Sequence, residues 1–179
     1  MTLKVRYQLL TDVQLGQLLQ DIAARILDAK PARPIIILGI ERRGAPLAER
    51  LARILRDSGA KVEVGTLDIN LYRDDLTMVA SQPVVRKTTL PGDIGGRELI
   101  LVDDVLYTGR TIRAALEALN DYGRARSITL AVLVDRGGRE LPIQADFVGT
   151  AITTAPDEIV DVHVQEIDGD DGCWVLEKA

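Results

Sequence analysis

The sequence predicts an α/β domain built on a doubly wound, mostly parallel sheet, with a small hood and a long flexible loop. Three observations predict it. Short apolar runs alternate with amphipathic segments of helical period, the order that places crossover helices between parallel strands. The runs are continuously apolar, as strands covered on both faces are. The chain has 179 residues, 46% hydrophobic and 27% charged, which fits one domain, residues 1–179, with a sizeable core.

The elements follow in order. Thr11-Asp12-Val13-Gln14 reads as a capping box. Leu15, Leu18, Leu19, Ile22 and Ile26 then share one face of a helix that runs to about Ala29 and stops at Pro31 and Pro34. Ile35-Ile36-Ile37-Leu38 is a buried strand, and Gly39 to Gly44 is a loop. The next helix turns Leu47, Leu51, Ile54 and Leu55 inward, with Gly59 past its end. Val62 to Leu67 is a strand. Leu99 to Asp103 is another, followed by a helix from Arg110 to Tyr122 that Gly123 stops, and a strand from Ser127 to Val134. Short strands near Phe147–Thr150, Val160–Val164 and Cys173–Leu176 close an edge or build the hood. Between Asp68 and Gly96 no period is sustained, and Pro83, Pro91, Gly92, Gly95 and Gly96 interrupt the stretch. A connection this long is uncommon in a compact domain. It reads as a mobile cover or a plain surface excursion, with a hairpin available to Met78-Val79 and Pro83–Val85 and charges at Arg73-Asp74-Asp75 and Arg86-Lys87.

Composition narrows the function. No apolar run approaches the roughly 20 residues that span a bilayer, and the N-terminus lacks a signal-peptide layout. A single cysteine, Cys173, excludes an intrachain disulfide framework and any multi-cysteine metal site. It reads as a small filler beside Trp174, and the lone His163 reads as a strand-face residue. The setting is therefore expected to be reducing and cytoplasmic. Net charge is −5, but from Asp157 onward eight acids face one Lys, while the remainder is balanced at 21 basic to 19 acidic. The acid-rich turn Asp168-Gly169-Asp170-Asp171-Gly172 reads as solvated. No general basic excess announces nucleic acid.

Residues Glu98–Thr111, ELILVDDVLYTGRT, carry the most chemistry. An apolar run stops at Asp103 and Asp104, a loop Tyr107-Thr108-Gly109-Arg110-Thr111 follows, and a helix begins. A helix N-terminus presents unpaired N–H groups to an anion. Gly109 lets the backbone approach, and Thr108 and Thr111 add hydroxyl donors. Paired carboxylates beside a phosphate cradle suit a sugar phosphate: they accept from vicinal hydroxyls and can help hold Mg²⁺ with its waters. Two further loops lie at the same end of the sheet. Gly39–Gly44 offers Arg42 and Arg43 to an anion, or is a solvated basic turn. Asp135–Arg139 offers Arg136 to a base, or is a charged turn.

These residues carry a resemblance. The Glu98–Thr111 stretch is similar to the phosphoribosyl pyrophosphate (PRPP) motif of the type I phosphoribosyltransferases. Gly-Ile-x-x-Arg-Gly at 39–44, Asp-Ile-x-Leu-Tyr-Arg-Asp-Asp-Leu at 68–76, Val-Asp-Asp-Val-Leu-Tyr-Thr-Gly-Arg-Thr at 102–111 and Leu-Val-Asp-Arg-Gly-x-Arg-Glu-Leu-Pro-Ile at 133–143 occur in order. Together they resemble the family of pyrimidine operon attenuation regulators that are also uracil phosphoribosyltransferases, over nearly the whole chain. The resemblance implies the phosphoribosyltransferase fold, conversion of uracil and PRPP to UMP and pyrophosphate with Mg²⁺, and UMP-responsive binding of pyrimidine leader mRNA by a cytoplasmic homodimer or higher oligomer, with no membrane partner. It implies ribose and Mg²⁺ contacts at Asp103 and Asp104, and a 5′-phosphate loop at Thr108–Thr111 reached through Val105, Leu106 and Tyr107. It further implies pyrophosphate contacts at Arg42 and Arg43, a flexible-loop role for Arg73, a base-side role for Arg136 and a uracil-reading backbone at Val160. Asp103, Asp104 and Arg43 are the expected catalytic set.

The chain departs from that pattern in three places. Glu41 stands where the family often has a basic residue or an imidazole. The first helix reads Gly16-Gln17-Leu18-Leu19-Gln20-Asp21 where the family is basic. Gly138 and Gln144 replace a common His and Arg. Most of these positions belong to the expected RNA face, leaving Arg25, Arg139 and the Arg50-Arg53-Arg56 stripe as its candidate cations. Two other readings compete: a regulator that only senses nucleotide, and a phosphoribosyltransferase for another base.

Overall fold

The computed structural model describes residues 3–29, 34–69 and 88–178. The elements are β1 (Leu3–Leu10), α1 (Asp12–Asp28), β2 (Ile35–Ile40), α2 (Gly44–Asp57), β3 (Val62–Leu67), β4 (Glu98–Leu106), α3 (Arg110–Asn120), β5 (Ser127–Asp135), β6 (Phe147–Ala151), β7 (Ile159–His163), α4 (Gln165–Asp168) and β8 (Gly172–Lys178).

Five strands form a sheet in the order β3-β2-β4-β5-β6, every neighbouring pair parallel. Parallel neighbours need crossovers, and the amphipathic helices supply them. Ile35 and Ile37 face α1 and α2, packing with Leu19, Ile22, Leu47 and Leu51. Ile36, Leu38 and Ile40 face the opposite way, toward α3 with Ile112, Ala115 and Leu119. One apolar strand thus serves two cores, which is why it shows no polar alternation. Each fully buried Leu or Ile there contributes about 1.5–3 kcal/mol of transfer free energy. The capping box forms as expected, with Thr11 and Gln14 each bonding the other's backbone N–H.

A second, antiparallel sheet, β1-β8-β7, makes the hood. Its edge strand β1 was not foreseen from the sequence. Leu3, Val5 and Tyr7 alternate with Lys4, Arg6 and Gln8, but nearly the whole strand is exposed, so no buried face marks it. Three other expectations change. The strand of the acid pair does not end there: β4 runs through Asp103 and Asp104 to Leu106, because β5 keeps pairing with it after β2 has stopped at Val102. The Gly39–Gly44 loop is shorter, since β2 continues to Ile40. The long 68–96 connection is packed at its far end, where Thr66 and Thr89 exchange backbone bonds of 2.8 and 2.9 Å and Ile94 is fully buried. Arg73, the Met78-Val79 and Pro83–Val85 hairpin, Arg86-Lys87 and the Pro31 stop lie outside the described residues.

Candidate active site

The strand order reverses between β2 and β4, and ligands of open parallel sheets bind beyond the carboxyl ends at such a point. The loops after β2 and β4 meet there. Gly44 makes this possible: a Cβ on it would lie 2.4 Å from the Val102 carbonyl oxygen, so only glycine lets α2 start against β4. The Glu41–Arg42 peptide in this loop is cis.

Arg43 projects from the loop into a ring of acids. Its Nε donates to Asp168 Oδ2 at 3.0 Å and its Nη2 to Asp168 Oδ1 at 2.9 Å. Its Nη1 stands 3.6 Å from Asp161 Oδ1. The Asp168 bond raises the guanidinium pKa further, and Asp161 and Asp104 add to this through their charge. Arg42 is exposed and makes no hydrogen bond or ion pair among the described residues.

Asp103 is buried at 6% exposure. Its Oδ1 accepts the Asp104 N–H at 3.0 Å, and Asp104 Oδ1 accepts the Val105 N–H at 2.8 Å. Burial pushes the Asp104 carboxyl above the usual carboxylate range, against the pull of a bond from Asp103 and the charge of Arg43. A carboxyl raised by desolvation beside a cation is a recurrent feature of functional sites.

Beyond β4, residues Val105 to Ile112 and Glu140 line a cavity of about 310 Å³. Gly109 caps α3 with φ +92°, a left-handed turn that frees the first helical N–H groups toward the cavity. The Arg110 N–H meets Thr108 Oγ1 at 3.3 Å, and the Thr108 carbonyl accepts from Glu140 and Leu141, bracing the loop. Arg110 is paired with Glu140 at 2.7 Å. Leu106 is a core residue, 1% exposed, so its side chain packs with the α3 face and only its backbone borders the cavity.

Arg136, in the loop after β5, braces three segments. It is 7% exposed, with Nε on Thr154 Oγ1 at 3.1 Å, Nη2 on the Glu158 carbonyl at 3.0 Å, and its guanidinium 3.8 Å over the Tyr107 ring. It ties the loop after β4 to the segment leading into β7, where Val160 is buried opposite Val175. Glu158 is itself buried, held by Arg6 of β1 and by the Ala155 N–H.

The reading of the acid-rich turn as solvated is corrected. Asp168 holds Arg43, Asp171 and Glu166 both hold Arg50, and Asp170 binds His163 Nδ1 at 2.8 Å. The signal for this was the charge imbalance itself: acids without local cations must find distant ones or water. His163 is on strand β7, bonded to Asp161 and Asp170, with its ring 4.7 Å from the Trp174 ring and tilted 57° to it. Cys173 is a buried filler whose thiol burial pushes up to about 12.

Four of the five expected RNA-face cations are engaged inside the chain: Arg50 as above, Arg56 through its Nε on the Val62 carbonyl at 3.0 Å, and Arg25 and Arg139. Arg25 bonds the carbonyls of Asp146 and Val148 and lies over Phe147. Arg139 bonds Asp135 and the carbonyls of Ile143 and Tyr107.

The fit to Mg²⁺ follows from the donor set. Among the described residues no three His, Cys, Asp or Glu side chains gather to hold a metal. Mg²⁺ typically takes one or two carboxylates, several waters and substrate phosphates, and the pair Asp103 and Asp104 matches that demand.

The phosphoribosyl transferase domain model matches residues 7–167. A curated relative, the bifunctional protein PyrR of Thermus aquaticus, is 50% identical over 98% of both chains. The PyrR of Deinococcus radiodurans is 54% identical over 91% of this chain and 90% of its own. The chain belongs to the PyrR family of phosphoribosyl transferases. Among solved structures, a hypoxanthine phosphoribosyltransferase from Staphylococcus aureus matches with a TM-score of 0.74 at 18% identity, covering 97% of this chain and 92% of that one. That likeness shows the fold shared by PyrR proteins and purine enzymes. No helix among the described residues is long and apolar enough to cross a membrane.

Proposed function

We propose that the chain, as one cytoplasmic domain working as a homodimer or higher oligomer, transfers the phosphoribosyl group of PRPP to uracil, and that it binds pyrimidine leader mRNA in response to UMP. One observation carries the catalytic reading. Arg43 from the β2–α2 loop and the acid pair of β4 converge at the sheet's switch point, next to a left-handed turn whose N–H groups face an open cavity.

The reaction separates C1′ from pyrophosphate through an oxocarbenium-like state, while uracil N1 bonds to C1′ and loses its proton. Arg42 and Arg43 meet the charge that builds on the leaving pyrophosphate. Asp103 and Asp104 accept the ribose hydroxyls and orient the sugar. The N–H groups of Thr108–Thr111 hold the 5′-phosphate. Asp103 and Asp104 would hold Mg²⁺, which when bound would supply further neutralisation of the diphosphate charge. Holding both reactants in near-attack geometry is worth up to roughly 7–11 kcal/mol in ideal systems. The backbone at Val160 reads the base, with Arg136 fixing the loop beside it.

The test is turnover of PRPP with uracil and with a panel of purine bases, run beside leader-RNA binding with and without UMP. Uracil should be the preferred acceptor, and UMP should tighten RNA binding. Preference for hypoxanthine or guanine would overturn the assignment of the base. Binding of UMP without turnover of any base would leave a sensor in place of an enzyme.

A further inference from the structure

Asp168 lies 125 residues from Arg43, yet it takes two of the five N–H groups of the guanidinium in a fork. The carboxylate is itself fixed. Its Oδ2 also accepts the Val164 N–H at 2.9 Å. The short turn that carries it is fastened to α2, because Arg50 bonds Glu166 at 2.6–2.8 Å and Asp171 at 2.8–2.9 Å. Asp171 Oδ1 in turn accepts the Gln165 N–H at 2.7 Å. Two arginines, of α2 and its preceding loop, thus hold the hood turn, and the Asp168 fork alone sets the plane of the Arg43 guanidinium. On the side of the fork away from Asp168, Nη1 is ion-paired with Asp161 Oδ1 at 3.6 Å, without a hydrogen bond between them, so its N–H groups can still turn to an anion.

We propose that Asp168 is a positioning residue for phosphoribosyl transfer: it locks Arg43 so that the remaining N–H edge meets the leaving pyrophosphate. This rests on the catalytic reading above. A free arginine must give up side-chain freedom when substrate arrives, whereas a forked one has done so in advance. The carboxylate also offsets part of the Arg43 charge. Ground-state attraction for PRPP depends on that charge, while stabilisation of the departing pyrophosphate depends on where the N–H groups point. Removing Asp168 therefore trades orientation for charge, and kcat and KM should separate.

The test compares Asp168→Asn, Asp168→Glu, Asp171→Asn, Arg43→Ala and the Arg43→Ala/Asp168→Asn double variant in the full chain. Asp168→Asn should lower kcat by about tenfold with the KM for PRPP unchanged or lower. Asp168→Glu should recover part of the loss. Asp171→Asn loosens the same turn at Arg50 but leaves the Arg43 fork, and should hold kcat within about twofold. In the double variant the Asp168 change should add nothing to the loss from Arg43→Ala. Pyrophosphate affinity, measured with Mg²⁺ by calorimetry, should show the same non-additivity. An unchanged kcat in Asp168→Asn, an equal loss in Asp171→Asn, or additive effects in the cycle would overturn the proposal. Failure of the uracil reading looks different: the unmodified chain would not turn over, while the pyrophosphate cycle would still report on Arg43 and Asp168.

Discussion

Acids of the central sheet and of the hood surround Arg43, and the protein treats them in opposite ways. Asp104, on β4 of the central sheet, is pushed by burial toward its neutral form. Asp168, in the hood, is pulled down to about 2, chiefly by its bond to Arg43. The same side chain is thus a cost in one place and a stabilising tie in the other. The difference lies in partnership: Asp168 has both oxygens on donors, whereas Asp104 has one backbone N–H, a carboxyl neighbour and a cation already committed elsewhere. The hood acid is satisfied within the chain. The sheet acid is the one left for a ligand in the proposed reaction, where it would meet ribose hydroxyls and a cation.

The sharpest way to break this comparison is Asp104→Asn. Uracil transfer should fall at least about tenfold, since a carboxylate is lost from the ribose and Mg²⁺ surroundings. Stability at neutral pH should rise, because the raised pKa means that the charged form is the disfavoured one in the fold. The sign fixes the pH window: the cost is present when pH exceeds the raised value and disappears in acid. Urea unfolding at pH 7 and pH 4 would show the stabilisation shrinking. Near-normal turnover in the folded variant would remove Asp104 from the site.

Arg43→Ala tests the shared partner. PRPP and pyrophosphate binding should weaken by about tenfold or more, with UMP binding within about twofold, because only the first two ligands place anionic oxygens at that loop. Equal losses for all three would show that the loop serves the fold and not the diphosphate.

Asp168→Asn should move stability the other way from Asp104→Asn. The pair is partly screened, with side-chain exposures of 28% and 13%, so the loss at pH 7 should be about 1–2 kcal/mol, between the surface and buried cases. A lowered carboxylate pKa gives stability above the unfolded value of 3.8 that fades as pH falls toward 2. Denaturant unfolding of both proteins should therefore converge in acid. A difference that persists at pH 2 would place the effect in the Val164 turn and not in the ion pair.

One side of this comparison was legible in the sequence and the other was not. An apolar strand, two acids and a Thr-Gly-x-Thr turn are contiguous, so period and spacing exposed the main sheet and pointed to the loop that lines the cavity after β4. Even there the strand's reach was misjudged, because two acids look like an end, although a neighbouring strand can carry the ladder past them. The hood side was hidden for two reasons. β1 has no buried face and finds its partner, β8, at the other end of the chain. The Arg43 and Arg50 pairs also span more than a hundred residues, so local pattern shows the acids and never their partners. Arg136 was visible as a charge after a strand, but its use as a strut against Tyr107, Thr154 and Glu158 depends on three segments meeting.

Asp21 represents a third kind of acid, and it should matter least. It is exposed on α1, and Gln17 Nε2 donates to it at 3.0 Å. The helix therefore presents Gln17, Gln20 and Asp21 to solvent, and Arg25 on the same helix is occupied by β6. If RNA lies across this face, few phosphate contacts are available, and affinity should respond weakly to salt. Gln20 and Gln144 are both exposed, so arginines there can reach solvent without repacking. Each substitution that gains a phosphate contact should steepen the dependence of log K on log salt by about 0.7 for single-stranded RNA. Stability and uracil transfer should stay within error, since neither residue touches the acids around Arg43. Titration of a pyrimidine leader RNA with UMP at several salt concentrations reads the slope. If the unmodified chain already binds that RNA at nanomolar concentration with a steep slope, its phosphate contacts come from cations elsewhere. Arg53, exposed on α2, would be the next to replace.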